Sequence, residues 1–241
     1  MLEAITFDLW STLVEPVDYS SMRVDHLGEI LVSKGFSVEH DAILSSYAFA
    51  LERFCAVWRE KQRHMTAEER VTLMLAKLKI NLAADEVNAI ADYFERTVLN
   101  DPPPLLADAQ MVLRSLHASY KIGLICDSGM SPGRVMRSVL AQHGILRYFN
   151  ATVFSDEVGF TKPHSSVYQT ALRQLGVVAH QALHVGDLLE TDILGARAVG
   201  MRTVWLNPQK THGPDRKVVP DYEICRLASL LSVIARERSV A

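Results

Sequence analysis

Four short stretches of this 241-residue chain carry side chains able to do chemistry together. Asp8 ends the apolar run Ala4-Ile5-Thr6-Phe7 and opens Asp8-Leu9-Trp10-Ser11-Thr12. Cys126-Asp127-Ser128 closes a second apolar run that begins at Lys121. Thr161-Lys162-Pro163 comes next, then His184-Val185-Gly186-Asp187, with Asp192 five residues on. A carboxylate can attack an electrophile and carry a covalent intermediate. A phosphoryl group in transfer needs its oxygens neutralised, by a lysine and by a divalent cation. Mg²⁺ prefers oxygen ligands and is commonly held by one or two carboxylates, which Asp8 and Asp187 can supply. Asp192, at the start of the helix expected after Asp187, can hold the metal's water shell. The turn through Asp127-Ser128-Gly129 offers backbone N–H groups and a hydroxyl to an anion.

Those residues can work together only if the fold brings them to one place. The segments Ala4–Asp8, Lys121–Cys126, Thr152–Phe154, Ala182–Val185 and Arg202–Leu206 read as short buried strands, with helical patterns between them. One helix is expected to start with Ser131 as N-cap and Pro132 at its first position, and to end at Gly144. Another runs from about Ser165 to Leu175, with Gly176 as its stop. Strand alternating with helix implies an α/β fold with a mostly parallel sheet covered on both faces. In such a sheet, residues at the carboxyl ends of neighbouring strands share one crevice.

Between the first two strands the pattern changes. Four apolar stripes at helical spacing include Leu27-Ile30-Leu31, Ile43 to Trp58, Val71-Met74-Leu75-Leu78 and Val87-Ile90-Ala91-Phe94. They predict a helical bundle over 17–100, inserted into an α/β core made of 1–16 and 101–241. Pro16 and the run Asp101-Pro102-Pro103-Pro104 mark its edges, since a proline run cannot continue a helix. The polar stretch Asn207–Pro220 reads as a loop before a last helix.

The composition excludes several partners. Lys and Arg total 25 against 28 Asp and Glu, a net charge of −3, and the cations are scattered. Neither nucleic acid nor an anionic membrane surface is expected as a partner. No apolar run approaches the length of a membrane span, and no secretory signal is read at the start. The 3 cysteines are far apart, which favours a reducing, cytoplasmic setting over a disulfide framework or a zinc site. A monomer or homodimer acting on a small molecule is the expected form.

These four stretches, in this order and with a helical insertion after the first, resemble the motifs of the haloacid dehalogenase-like hydrolases. Asp8 to Thr12 looks like the first motif, Lys121 to Ser128 the second, Phe160 to Pro163 the third and His184 to Asp192 the fourth. The resemblance implies a Rossmann-like core with an α-helical cap, Asp8 as nucleophile and Lys162 as the group stabilising charge. It implies Mg²⁺ held by Asp8, Asp187 and the main-chain carbonyl of Trp10, with Thr12 and Asp192 as supporting residues. Cys126, Asp127 and Ser128 would meet the substrate.

Two positions depart from the family pattern. The family's phosphatases carry Asp where this chain has Trp10, and that Asp serves as acid and base. Such help is worth roughly 10²–10⁴-fold, so alkyl phosphates should suffer most and aryl or acyl phosphates least. Cys126 stands where Ser or Thr is usual, and a thiol is a weaker donor. The family's dehalogenases, by contrast, carry an aromatic residue at position 10 and lack an acid at position 187. A phosphohydrolase is therefore the leading expectation, a 2-haloacid dehalogenase the runner-up, and a catalytically weak binding protein the third. Several neighbours have plainer readings. His184 reads as a packed histidine inside a strand, and His64, His117, His143 and His164 as surface or cap residues. Trp58 to Gln62 reads as a solvated helix face, although Arg59 could lie over the site. Trp10 reads equally well as core packing and as a pocket wall.

Overall fold

A computed structural model describes residues 1–210 and 218–239. The first strand, β1 (Ala4–Phe7), is followed by four helices: α1 (Ser20–Ser33), α2 (His40–Lys61), α3 (Ala67–Leu78) and α4 (Ala84–Asn100). The chain continues through α5 (Ala109–His117), β2 (Lys121–Cys126), α6 (Gly133–Gln142), β3 (Ala151–Phe154), α7 (Ser155–Val158) and α8 (Ser165–Leu175). It ends with β4 (Ala182–Gly186), α9 (Leu194–Ala198), β5 (Arg202–Leu206), β6 (Tyr222–Ile224) and α10 (Leu230–Ser239). The strands form one parallel sheet in the order β3-β2-β1-β4-β5-β6.

Side chains alternate across this sheet, as the strand period of two requires. Ile5, Phe7, Ile122, Leu124, Leu183 and Val185 join one apolar cluster with the inner faces of α5, α6 and α10. Ala4, Ile125 and Ala182 join a second cluster with α8 and Ala196 of α9. The result is a three-layer Rossmann-like arrangement. The sequence order reverses direction between β1 and β4, the switch point where open sheets of this kind bind ligands.

Helices α1 to α4 bury their apolar stripes in a cluster of their own, including Leu27, Ile43, Val71, Met74, Ile90 and Phe94. The start of α3 is fixed by a capping box: Thr66 Oγ1 accepts from Glu69 N–H at 3.1 Å, and Glu69 Oε2 accepts from Thr66 N–H at 2.8 Å. The two chain crossings beside the core run antiparallel. Glu15 N–H donates to the Pro104 carbonyl at 2.9 Å, and Leu106 N–H donates to the Leu13 carbonyl at 2.9 Å.

Some expectations need adjustment. The helix after β2 begins at Gly133 with Pro132 as its cap, so Ser131 lies outside it. Gly133 lies close under the Phe154 ring, where an added Cβ would come within 2.6 Å. The α2 stripe is narrower than its sequence pattern, since Leu44 and Leu51 are exposed. The short β6 was not expected; it is a three-residue edge strand paired with β5. Within the expected loop Asn207–Pro220, residues 211–217 lie outside the described residues.

Candidate active site

Asp8 follows β1, Asp127 follows β2 and Asp187 follows β4, so adjacent parallel strands deliver three carboxylates to the same carboxyl end of the sheet. Asp8 N–H donates to the Val185 carbonyl at 2.9 Å, which continues the ladder to the carboxylate itself. The turn after Asp187 is anchored by Trp205, whose indole N–H donates to the Asp187 carbonyl at 2.8 Å. Asp192 comes from a π-helical turn, Leu189–Ile193, rather than the expected start of an α-helix. That turn swings its carboxylate back under Gly186. A Cβ on Gly186 would lie 2.3 Å from Asp192 Cγ, so only glycine permits the approach.

Lys162 reaches this group from the loop before α8. Its Nζ donates to Asp8 Oδ1 and, at 2.7 Å, to Asp192 Oδ1. Lysine and both partners are buried. Oxygen atoms of Asp8, Asp187 and Asp192 all lie within 4.8 Å of one another. Asp192 is held further by His184 Nε2 at 3.2 Å and by the Leu188 N–H at 3.1 Å. His184 Nδ1 in turn lies 2.8 Å from Thr6 Oγ1. His184 is thus a packed strand residue that also braces the site through Asp192.

A family model described as haloacid dehalogenase-like hydrolase matches residues 2–200 of this chain. The chain is a haloacid dehalogenase-like hydrolase. It is 27% identical over 239 residues to a glyceraldehyde 3-phosphate phosphatase of Pyrococcus abyssi, spanning 98% of this chain and 95% of that one. A crystal structure of 2-haloacid dehalogenase from Pseudomonas syringae pv. Tomato DC3000 superposes with a TM-score of 0.74 at 25% identity, covering 98% of this chain and 99% of the other. The HAD hydrolase YfnB from Bacillus subtilis, solved bound to magnesium, shares the fold with a TM-score of 0.67 at 20% identity, covering 97% and 98%.

Electrostatics in this hydrolase set the buried carboxylates against one another and against Lys162. Burial raises the Asp8 carboxyl well above the ordinary range, and Lys162 only partly offsets it against Asp192 and Asp187. Burial and Asp192 push Asp187 up to about 6. Asp192 moves the opposite way: despite burial, Lys162 and His184 hold it below the ordinary range. Burial alone would lower Lys162, but Asp192 and Asp8 raise it, so it stays protonated. Asp8 and Asp187 thus hold protons more readily than ordinary carboxylates, and their all-oxygen donor set suits a hard divalent ion.

The other expected residues are placed as follows. Cys126 is buried in the main apolar cluster, and burial pushes its thiol up, which leaves it uncharged. Asp127 spends both oxygens within the protein: Oδ1 accepts from Lys162 N–H and Oδ2 from the Trp58 indole N–H, each at 3.0 Å. The Ser128 hydroxyl donates to Asp156. Thr12 is fully buried with an unpartnered hydroxyl. Trp10 is half-buried against the main apolar cluster.

Sequence reasoning raised Arg59 of α2 over the site but gave no role there to Trp58 or Gln62. Trp58, Arg59 and Gln62 line a cleft of about 540 Å³ together with Lys162, Pro163, Leu188, Glu190 and Thr191. Arg59, Glu60 and Lys61 are exposed, as expected of a solvated helix face, while Trp58 and Gln62 are half-buried at the wall of the cleft. His64 lies in the link between α2 and α3, within the inserted segment. It is buried, with Nδ1 3.2 Å from Ser155 Oγ of α7. The available signal was the Trp-Arg pair near a helix end, but periodicity does not reveal what a helix face meets.

Proposed function

We propose that this hydrolase is a Mg²⁺-dependent phosphohydrolase acting on a small phosphorylated metabolite. The observation that carries the reading is the gathering of Asp8, Asp187 and Asp192 within 4.8 Å around one buried lysine. Expulsion of halide from carbon has no phosphoryl oxygens to neutralise and no use for such a cluster. Mg²⁺ held by Asp8, Asp187 and the Trp10 carbonyl would neutralise phosphoryl oxygens. An Asp8 oxygen attacks phosphorus, the bond to the leaving oxygen breaks, and an aspartyl-phosphate forms. The leaving oxygen takes its proton from solvent, because the Trp10 indole N–H is too weak an acid to supply one. Water then attacks phosphorus, releases inorganic phosphate and restores Asp8. Lys162, braced by Asp192, stabilises negative charge on Asp8 and on the group in transfer. The cleft under α2 has the size of a small-molecule site, and the Pyrococcus relative bears the name of a phosphatase of such a metabolite.

Trp10 favours a second reading, a 2-haloacid dehalogenase in which Asp8 attacks carbon, since halide leaves without a proton. The likeness to the Pseudomonas dehalogenase supports it. A panel of phosphorylated metabolites, assayed with Mg²⁺ and with EDTA, tests the first reading. Phosphate release that stops with EDTA is expected; no release across alkyl, aryl and acyl phosphates would remove it.

A further inference from the structure

Two sets of contacts converge on the loop that carries Lys162, and both come from the end of α2. The first is backbone pairing. Thr161 N–H donates to the Gln62 carbonyl at 2.9 Å, and His64 N–H donates to the Gly159 carbonyl at 3.2 Å. Arg63 faces Phe160 between them as an antiparallel bridge. The second runs through Asp127. One of its oxygens accepts from the Trp58 indole and the other from the Lys162 main-chain N–H, both at 3.0 Å. A single carboxylate thus joins a helix of the inserted bundle, the end of β2 and the lysine loop. An anionic substrate gains nothing from a carboxylate, whereas two N–H donors facing it account for its presence.

We propose that Asp127 is a positioning residue, which places Lys162 against Asp8 when Trp58 and the end of α2 are seated on the core. Lys162 must carry its Nζ to Asp8 and Asp192 along a flexible stem, so its reach depends on where its main chain is held. Unseating α2 takes away the Trp58 bond and both backbone bonds, so that Asp127 alone is left holding the Lys162 main chain from outside the loop. The inference rests on Asp8 and Lys162 as the reacting pair and holds for attack on phosphorus or on carbon.

Hydrogen exchange on the full chain tests it. Trp58→Phe keeps an aromatic ring, removes the donor and leaves the residues of the lysine loop unchanged. It is expected to speed exchange at the Lys162 amide by about tenfold, the equivalent of ~1.4 kcal/mol, while amides of β4 keep wild-type rates. Asp127→Ala should do the same, and the double variant should exchange no faster than Asp127→Ala alone, because both act through one carboxylate. Wild-type exchange at Lys162 in Trp58→Phe, or effects that simply add, would overturn the proposal. Exchange reads this coupling even in a chain that releases no phosphate, so failure of the phosphohydrolase reading leaves the test intact.

Discussion

Asp8 is buried beside two further carboxylates and one lysine, and the balance among them sets what the site can do. Replacing Asp8 with Asn removes the nucleophile, and turnover should fall by at least ~10³-fold in a folded protein. Circular dichroism alongside the rate separates chemistry from unfolding. Asp187 makes the second prediction. Its carboxyl sits at about 6 against an ordinary 3.8, so its charge costs the folded state free energy. Stability tied to its proton is present below the ordinary value and is lost as pH rises through about 6. Mg²⁺ should reverse that loss, raising the melting temperature more at pH 7 than at pH 5, with a stabilisation at pH 7 of about 2.7 kcal/mol at a hundredfold excess over Kd. Asp187→Asn should abolish the difference; an equal Mg²⁺ effect in that variant would count against Asp187 as a ligand. Gly186 gives a third. Its alanine variant places a Cβ 2.3 Å from Asp192 Cγ, and overpacking of this kind costs ~1–3 kcal/mol, read as a shift in the denaturant midpoint. At this scale the residue types were legible, because carboxylates at strand ends form a readable pattern. The bracing of Asp192 by His184 was not, since it depends on a π-helical turn that leaves no periodic trace.

Among the elements, the seam between α2 and the core governs the cleft. His64 marks it: burial lowers its pKa from the ordinary 6.5, with Asp156 and Glu69 opposing and Arg63 and Arg70 reinforcing the shift. The neutral ring is therefore favoured in the folded state. Its contribution should be complete above 6.5 and should be lost as pH falls below it, levelling off under the depressed folded value. His64→Gln is expected to flatten this part of the stability profile between pH 5 and 7; an unchanged slope would show that His64 is not the group responsible. Strand and helix identities were largely readable from apolar spacing, and α8 occupies its expected span. The seam was not, because Trp58 and His64 hydrogen-bond to residues 69 and 91 positions away. Helical periodicity separates buried from exposed faces but is silent on which partner does the burying.

The whole molecule combines a switch-point crevice with a helical roof, a layout that sequence order alone suggested because strand ends in a parallel sheet converge. Membership in the family follows from the whole chain, whereas the reaction turns on position 10. Trp10→Asp should raise turnover of alkyl phosphates by roughly 10²-fold or more, within the range of general acid–base help, and should change aryl phosphates less. Equal gains on both would place the limitation elsewhere. The central claim is tested most directly by measuring phosphate from an aryl phosphate and chloride from 2-chloropropionate side by side. Wild type and Asp8→Asn are compared, each with Mg²⁺ and with EDTA. Phosphate release by wild type alone, and only with Mg²⁺, is the predicted result. Chloride release that persists in EDTA, with no phosphate released, would contradict it.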